Sequence, residues 1–576
     1  MAYFDPMPAR DSRLFSPLPQ STQILIVGAG PVGLFAAYAL SRQSVASVVI
    51  ERHAHRLGQP KAHAINARTL EIFRQAGLDT EALRAKGVPA DEGSVVQFMT
   101  VLTGEDLGTL PYERQDEAVK QITPEPLFNI AQPILEGFLQ ENALASGLVS
   151  IHRRHEWLNY EDAGDKSCVS KVLDRDGGQV RLVSSQYIIG ADGANSAVRA
   201  MIPTLTLDPV IPGSAPRSYV SINFTADLRP FVSQNIAQLY FFLDSSTTHA
   251  SLIGYGNPTW VYARPLLPNE DIGKFTPQHC QELIDIAIGK HCPDVQIHSA
   301  QIWKTFPAIC SAYADLGYRA FLVGDSAHQF PPQGGLGVNT GVGDVHNLVW
   351  KLAYALRHGA AGFEALLFTY SAERRPVASE NAKQSAVNEE HMRQLDAESV
   401  AVFEQALALT NGGIVPNAAK RPGVPERIKE AIERNRDHFD SLGLQLGYVY
   451  GQSKTPGASE PCWVYEPCFG SGARLPHAWI RPRAMFDAHR RALSTLDLTH
   501  HALFTVWTMI PIRDLPGELE QTAIVVDVRS WDIPDDWVER SGVGQKLLVV
   551  RPDQHILGHA NSMGEVLDMV RKYISA

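Results

Sequence analysis

The chain has 576 residues, too many for one compact core, and should divide into about three or four domains. Its net charge of −11 argues against a nucleic-acid partner, and 44% apolar with 20% charged residues is an ordinary globular balance. No apolar stretch has the length of a membrane span, so no membrane partner is expected.

Residues 1–20 carry prolines and charges where a secretory signal needs an apolar centre, and read as a disordered or surface-lying lead-in. Ile24 to Val27 then form a continuous apolar run, as in a parallel strand covered on both faces. The run enters Gly28-Ala29-Gly30-Pro31-Val32-Gly33, followed by a helical pattern from Leu34 to about Arg42 and a second strand, Val48 to Ile50, ending at Glu51 and Arg52. Gly28 permits a tight turn, Gly30 lets backbone approach a pyrophosphate, and Gly33 lets helix and strand pack closely. The helix start offers N–H groups to phosphate, and Glu51 is placed to accept from a ribose hydroxyl. An acid here favours a ribose without a 2′-phosphate, so FAD or NAD over NADP at this cradle.

Further along, Tyr187 to Gly190 is another buried strand, leading into Asp192-Gly193 and Ala194 to Arg199. Asp192 either touches a cofactor or holds the N–H groups of its own turn. From about Tyr219 to Arg264 the residues alternate as in an antiparallel sheet with one inward face. Asn223, Tyr240, Phe242, Tyr262 and Arg264 are its substrate candidates, although a one-residue slip would reverse the face. Ala320 to Val323 repeats the strand plan and leads through Gly324-Asp325 to a turn spanning Pro331 to Gly341 and a helix with Asp344, Asn347 and Lys351. Asp325 is positioned for ribityl hydroxyls, and the helix start can face the negative edge of a reduced flavin. Asp344 reads as an ordinary charge near a helix N-terminus.

With three motifs in this order, the sequence resembles the class A single-component flavoprotein monooxygenases of the phenol hydroxylase and para-hydroxybenzoate hydroxylase type. The resemblance runs over nearly the whole chain. It implies resident FAD, with Gly335, Gly337, Val338 and Asn339 at the flavin edge, Pro332 beside the ring, and Gln132 at a third contact. Lys61 falls where relatives carry an arginine near the pyrophosphate; it keeps the charge and loses the bidentate fork. His63 matches an active-site aspartate of phenol hydroxylase. It either acts as general base or hydrogen-bonds the flavin or local backbone. Arg68 and Glu71 read as helix-surface residues paired with neighbours.

The resemblance also implies a fold class: α/β, with a Rossmann-like FAD domain interleaved with an antiparallel-sheet substrate domain. The expected parts are residues 20–206, with a substrate-layer insert at about 85–125, then 207–309, and 310–385 completing the FAD domain. A helical linker follows over 386–440, with a helix exit at Glu373-Arg374-Arg375-Pro376. A thioredoxin-like unit over 441–576 lacks C-x-x-C and therefore dithiol chemistry. The six cysteines, at 168, 280, 292, 310, 462 and 468, include no such pair, which fits reduced thiols in a cytoplasmic protein and no metal site.

Only one complete cradle is present, so NADPH or NADH is expected as a visiting co-substrate. O₂ would then give the flavin C4a-hydroperoxide that hydroxylates a phenolic ring. Baeyer–Villiger oxygenation of a ketone is the first alternative, and a flavoprotein that has lost catalysis and serves as a binding module is the second. The resemblance further implies a homodimer.

Overall fold

The structure is a computed structural model describing residues 17–55, 63–164, 167–212, 216–232, 236–243, 250–268, 270–359, 362–408, 424–451, 461–483, 492–512 and 515–575. The lead-in through residue 16 and the phosphate contact expected of Lys61 lie outside the described residues.

Strand β1 (Ser21–Val27), helix α1 (Pro31–Arg42) and β2 (Ser47–Glu51) form the opening unit. Helix α2 (Ala67–Gln75) is followed by a hairpin, β3 (Val95–Met99) and β4 (Asp106–Pro111), and then by α3 (Gln132–Ala145). Strands β5 (Val149–Arg153), β6 (His155–Asp162), β7 (Cys168–Asp174) and β8 (Val180–Gly190) come next. The first sheet has the order β5-β2-β1-β8-β7-β6, with β1 parallel to both β2 and β8. Its central strands are apolar on both faces because helices cover both sides, which is why they read as unbroken runs.

The second sheet takes strands from separate stretches: β9 (Arg217–Thr225), β10 (Leu239–Phe242), β11 (Ser251–Gly254) and β12 (Thr259–Pro265). Helix α4 (Pro277–Ile288) and β13 (Gln296–Thr305) follow. The order is β13-β9-β12-β11-β10-β3-β4, so the early hairpin completes the sheet, joined through a parallel β10–β3 pairing. One face packs on α4 through Ile222, Phe224, Trp260 and Ile284; the other turns toward the cofactor domain.

Strand β14 (Ala320–Leu322) returns to pair with β8, and α5 (Leu336–Arg357) packs on α1. Helix α6 (Glu364–Ala408) then runs 45 residues with Pro376 inside it. The helix exit expected at Pro376 is not found. Burial of Val377, Ala378, Ala382, Ala386, Met392 and Leu395 along the same helix outweighs the local cost of the proline. Helix α7 (Val424–Glu433) and the short α8 (Arg436–Phe439) lean on α6 and β4.

The C-terminal unit contains β15 (Phe504–Thr508), β16 (Ala523–Asp527), α9 (Asp535–Ser541), β17 (Leu547–Val550), β18 (Ile556–Ala560) and α10 (Met563–Ser575). Its sheet order is β16-β15-β17-β18, with β15 and β16 parallel and the other pairs antiparallel. Among the described residues no helix is long and apolar enough to cross a membrane.

Candidate active site

The cradle is built as its glycines require. Gly28 adopts φ +105°, and a Cβ there would stand 2.4 Å from the Ala191 carbonyl oxygen. A Cβ on Gly33 would stand 2.1 Å from the Gly28 oxygen, so helix and turn are in contact at that point. At Gly30 a Cβ would meet nothing within 4 Å, so the space beside this residue is open. Pro31 and Val32 begin α1, whose N-terminus has no side-chain cap. Glu51, at the tip of β2, accepts from the backbone N–H of Ala29 (3.0 Å) and of His53 (2.8 Å), which fixes its carboxylate against the turn. Arg52 is exposed, and its Nε donates to His53.

The other two motifs close on this turn. Asp192 accepts from Ser196 Oγ (2.5 Å), Ala197 N (2.7 Å) and Val198 N (3.2 Å), the arrangement of a residue that shapes its own turn. Asp325 is exposed between buried Gly324 and Ser326, and its Oδ1 lies 4.0 Å from where a Gly337 Cβ would stand. Gly335 caps α5 with φ +62° and no side-chain cap, which leaves the helix start open to an anionic group. Val338 follows in the first turn of α5, and Pro332 is exposed just before it. Asn339 is committed to the scaffold, where its Oδ1 accepts from Asn66 N (3.0 Å) and its Nδ2 donates to Ala64 O (3.0 Å). It thereby ties α5 to the segment carrying His63. Gln132 opens α3, where its Nε2 donates to Glu136 (2.8 Å). An open glycine, two uncapped helix starts and an exposed aspartate beside one of them fit a dinucleotide carrying a flavin.

Asp344 is not a superficial helix charge. It is fully buried, and its carboxylate accepts from His328 Nε2 (2.7 Å), Arg374 Nε (3.0 Å) and Gly324 N (3.1 Å). Burial pushes the carboxyl up, but His328 and Arg374 outweigh it and hold it below the usual range. Asp344 therefore braces the Gly324-Asp325 turn from behind.

His63 stands where the second sheet meets the cofactor domain. Its Nδ1 is 3.0 Å from Asn129 Oδ1, and Asn129 Nδ2 donates to the Gly93 carbonyl (3.2 Å). That second bond orients the amide, so His63 must donate through Nδ1 and keep Nε2 as its acceptor nitrogen. Burial lowers the affinity of His63 for a proton, and the bond to Asn129 only partly restores it. Tyr112 Oη is 3.5 Å from Nδ1, and Tyr255 meets the imidazole edge-on at 5.9 Å. Phe98 stacks on Phe241 at 5.5 Å, and Phe439 packs on both. His438 lies on Phe439 at 4.1 Å; burial, and then the neighbouring His63, hold its pKa down at about 3.

Most of the substrate candidates on the sheet lie on the wrong face. Tyr240, Phe242 and Tyr262 pack with α4 in the opposite core. Arg264 sits across from Val220 on that same side, pairs with Glu270 (2.8 Å) and lies over the Phe275 ring. Strand alternation decides this: Tyr262 is opposite buried Ile222, whereas Asn223, opposite Val261, faces the cofactor domain. The residues that do gather near His63, namely Asn129, Tyr112, Tyr255 and Phe439, come from four separate segments with no shared local pattern.

Cradle, flavin-edge helix and the buried His63 beside them fit an FAD-dependent enzyme of the flavoprotein class. Residues 21–385 match the family described as FAD binding domain. A phenol 2-monooxygenase of Pseudomonas sp. (strain EST1001) is 29% identical, covering 94% of this chain and 90% of the relative. A 4-methyl-5-nitrocatechol 5-monooxygenase of Burkholderia sp. is 33% identical, covering 94% of each. The crystal structure of the flavin-dependent monooxygenase PieE in complex with FAD and substrate superposes with a TM-score of 0.80, at 27% identity, over 97% of this chain and 100% of that one. The chain belongs to the FAD binding domain family and is a class A flavoprotein monooxygenase.

Proposed function

We propose that this protein hydroxylates a phenolic ring, with NADPH or NADH as reductant and O₂ as oxidant. The observation that carries this reading is the Asn129–His63 pair, whose 3.0 Å bond leaves a neutral imidazole with Nε2 as acceptor. Bound FAD, reduced by the nicotinamide, supplies activated oxygen for transfer to the ring. The chain's own residues do the rest. His63 Nε2 takes the phenol proton, which raises electron density on the ring carbons that receive oxygen. Phe98, Phe241 and Phe439 supply apolar surface for the ring and help exclude water. Gly30, Asp325 and the starts of α1 and α5 hold the cofactor, with Glu51 fixing the turn beside it. The names of the phenol and nitrocatechol relatives support a small aromatic substrate.

The thioredoxin-like reading of the C-terminal unit is supported by its parallel pair extended by two antiparallel strands and closed by α10. We also propose that the protein works as a homodimer, which the mass of the holoenzyme in solution will decide.

The test is NAD(P)H oxidation by purified holoenzyme in air against phenols and cyclic ketones, with products read by mass. A phenol that accelerates oxidation and gains one ring oxygen is the expected result. Lactones from the ketones would replace this reading with Baeyer–Villiger chemistry. A flavin that no nicotinamide reduces would leave a binding module.

A further inference from the structure

Helix α6 carries a group of polar residues with no part in the chemistry described so far. Ser385, Asn388 and His391 recur at intervals of three and share one face of the helix. Ser385 and Asn388 are fully buried, yet Ser385 Oγ, Asn388 Nδ2 and His391 Nδ1 have no hydrogen-bond partner among the described residues. The same is true of Gln333 Oε1, in the turn after Pro332, and of Asn223 Oδ1, on the inward face of β9. These elements adjoin one another. Asn388 Nδ2 lies 3.0 Å from where a Gly334 Cβ would stand, and Tyr219 of β9 donates to Glu389 of α6 (2.6 Å).

Buried polar atoms are normally paired, because leaving them unpaired costs stability. One isolated exception needs little explanation. The four on α6 and at Gln333 gather at the flavin-edge turn and call for a ligand that pairs with them. The set mixes donors with acceptors, and the nearby carboxylate of Glu389 is already held by Arg217 (3.1 Å) and Tyr219. It therefore suits an uncharged group.

We propose that Ser385, Asn388, His391 and Gln333 form a second subsite for a neutral, oxygen-bearing substituent on the aromatic substrate: Ser385 and Asn388 donate to a carbonyl or hydroxyl oxygen, and Gln333 Oε1 accepts only from a hydroxyl. The inference rests on the aromatic-hydroxylase reading. The substrate then lies with its ring among Phe98, Phe241 and Phe439, its phenol at His63, and its second polar group at α6.

The experiment titrates FAD-loaded enzyme with 4-hydroxyacetophenone and with 4-ethylphenol, matched in size, and follows the flavin absorbance. The ketone should bind about tenfold or more tightly than the ethyl analogue, which leaves the Asn388 and Ser385 donors unpaired. Asn388→Leu should bring that ratio toward one. Ser385→Ala should lower it part of the way, and it decides the matter if Asn388→Leu fails to retain FAD. Equal affinities in the wild type, no binding of the ketone, or a ratio untouched by Ser385→Ala overturns the subsite. Oxygen incorporation is scored separately on both ligands. Its absence with a high binding ratio sinks the hydroxylase reading alone; hydroxylation with a ratio of one sinks the subsite alone.

Discussion

At the scale of single residues, the chemistry of His63 is set by its neighbour. Asn129 selects the tautomer, and burial keeps the ring neutral below the ordinary histidine range. Replacing His63 with Ala should lower kcat/KM for the phenol about 10²–10⁴-fold, the usual worth of a positioned base. In the wild type the rate should fall only as the pH drops through the lowered histidine value, and this acid limb should vanish in the variant. An identical limb in His63→Ala would assign it to another group. Glu113, next to Tyr112, behaves in the opposite sense. Burial, and then the charge of Asp440, push its carboxyl from 4.5 up to about 8. The folded protein thus holds a proton that the unfolded chain releases, and stability declines as pH rises from 4.5 to about 8. Glu113→Gln should flatten that decline, as read by urea midpoints across the range.

At the scale of elements, the β1–α1 turn separates two kinds of glycine. Gly33→Ala forces a Cβ against backbone at 2.1 Å, so both the fold and FAD retention should suffer. Gly30→Ala meets open space in the protein. Its apoprotein should melt as the wild type does, while the visible flavin spectrum after purification is lost. A Gly30→Ala protein that keeps its FAD would show that the cofactor does not approach this turn. Such local constraints explain why the cradle was legible in the sequence. Contiguous apolar strands and fixed glycine spacings write their geometry within about thirty residues. The sheet pocket was not legible in that way, because a period of two says that one face is buried without saying which core it faces. Tyr240 and Tyr262 are as aromatic as Phe241 and Tyr255, yet α4 claims the first pair. Asn129 and His438 reach His63 through tertiary packing alone. Arg68 and Glu71 show the same limit: a short charged pair on a helix reads as surface, and here it is covered by the C-terminal unit.

At the scale of the whole molecule, that covering is dense with charge. Glu71 pairs with Arg474 with both side chains fully buried, and Arg68 donates to Gln554 (2.7 Å) and to the Asp553 carbonyl (3.1 Å). Glu373 of α6 accepts from Lys351 (2.8 Å), Arg551 (2.6 Å) and Tyr573 (2.9 Å). Burial pushes Glu373 up, but Arg551 and Lys351 outweigh it and hold it from 4.5 down to about 2. Its contribution to stability is therefore present above pH 4.5 and lost as the pH falls toward 2. Arg474→Leu strands the Glu71 charge in the interface and should cost about 3–5 kcal/mol in denaturant unfolding. A loss near zero would mean that Glu71 takes up a proton and needs no partner. The 45 residues of α6 make a rod about 68 Å long that joins these events. Along its length it grips the C-terminal unit at Glu373, braces the Gly324 turn through Arg374, and meets the flavin-edge turn at Asn388. A single strut shared in this way predicts that cofactor occupancy and C-terminal docking are linked. Saturating FAD should slow amide exchange in β15 and β17, far from any flavin contact. Reciprocity then requires that whatever clamps the C-terminal unit in place tighten the hold on FAD by the same factor.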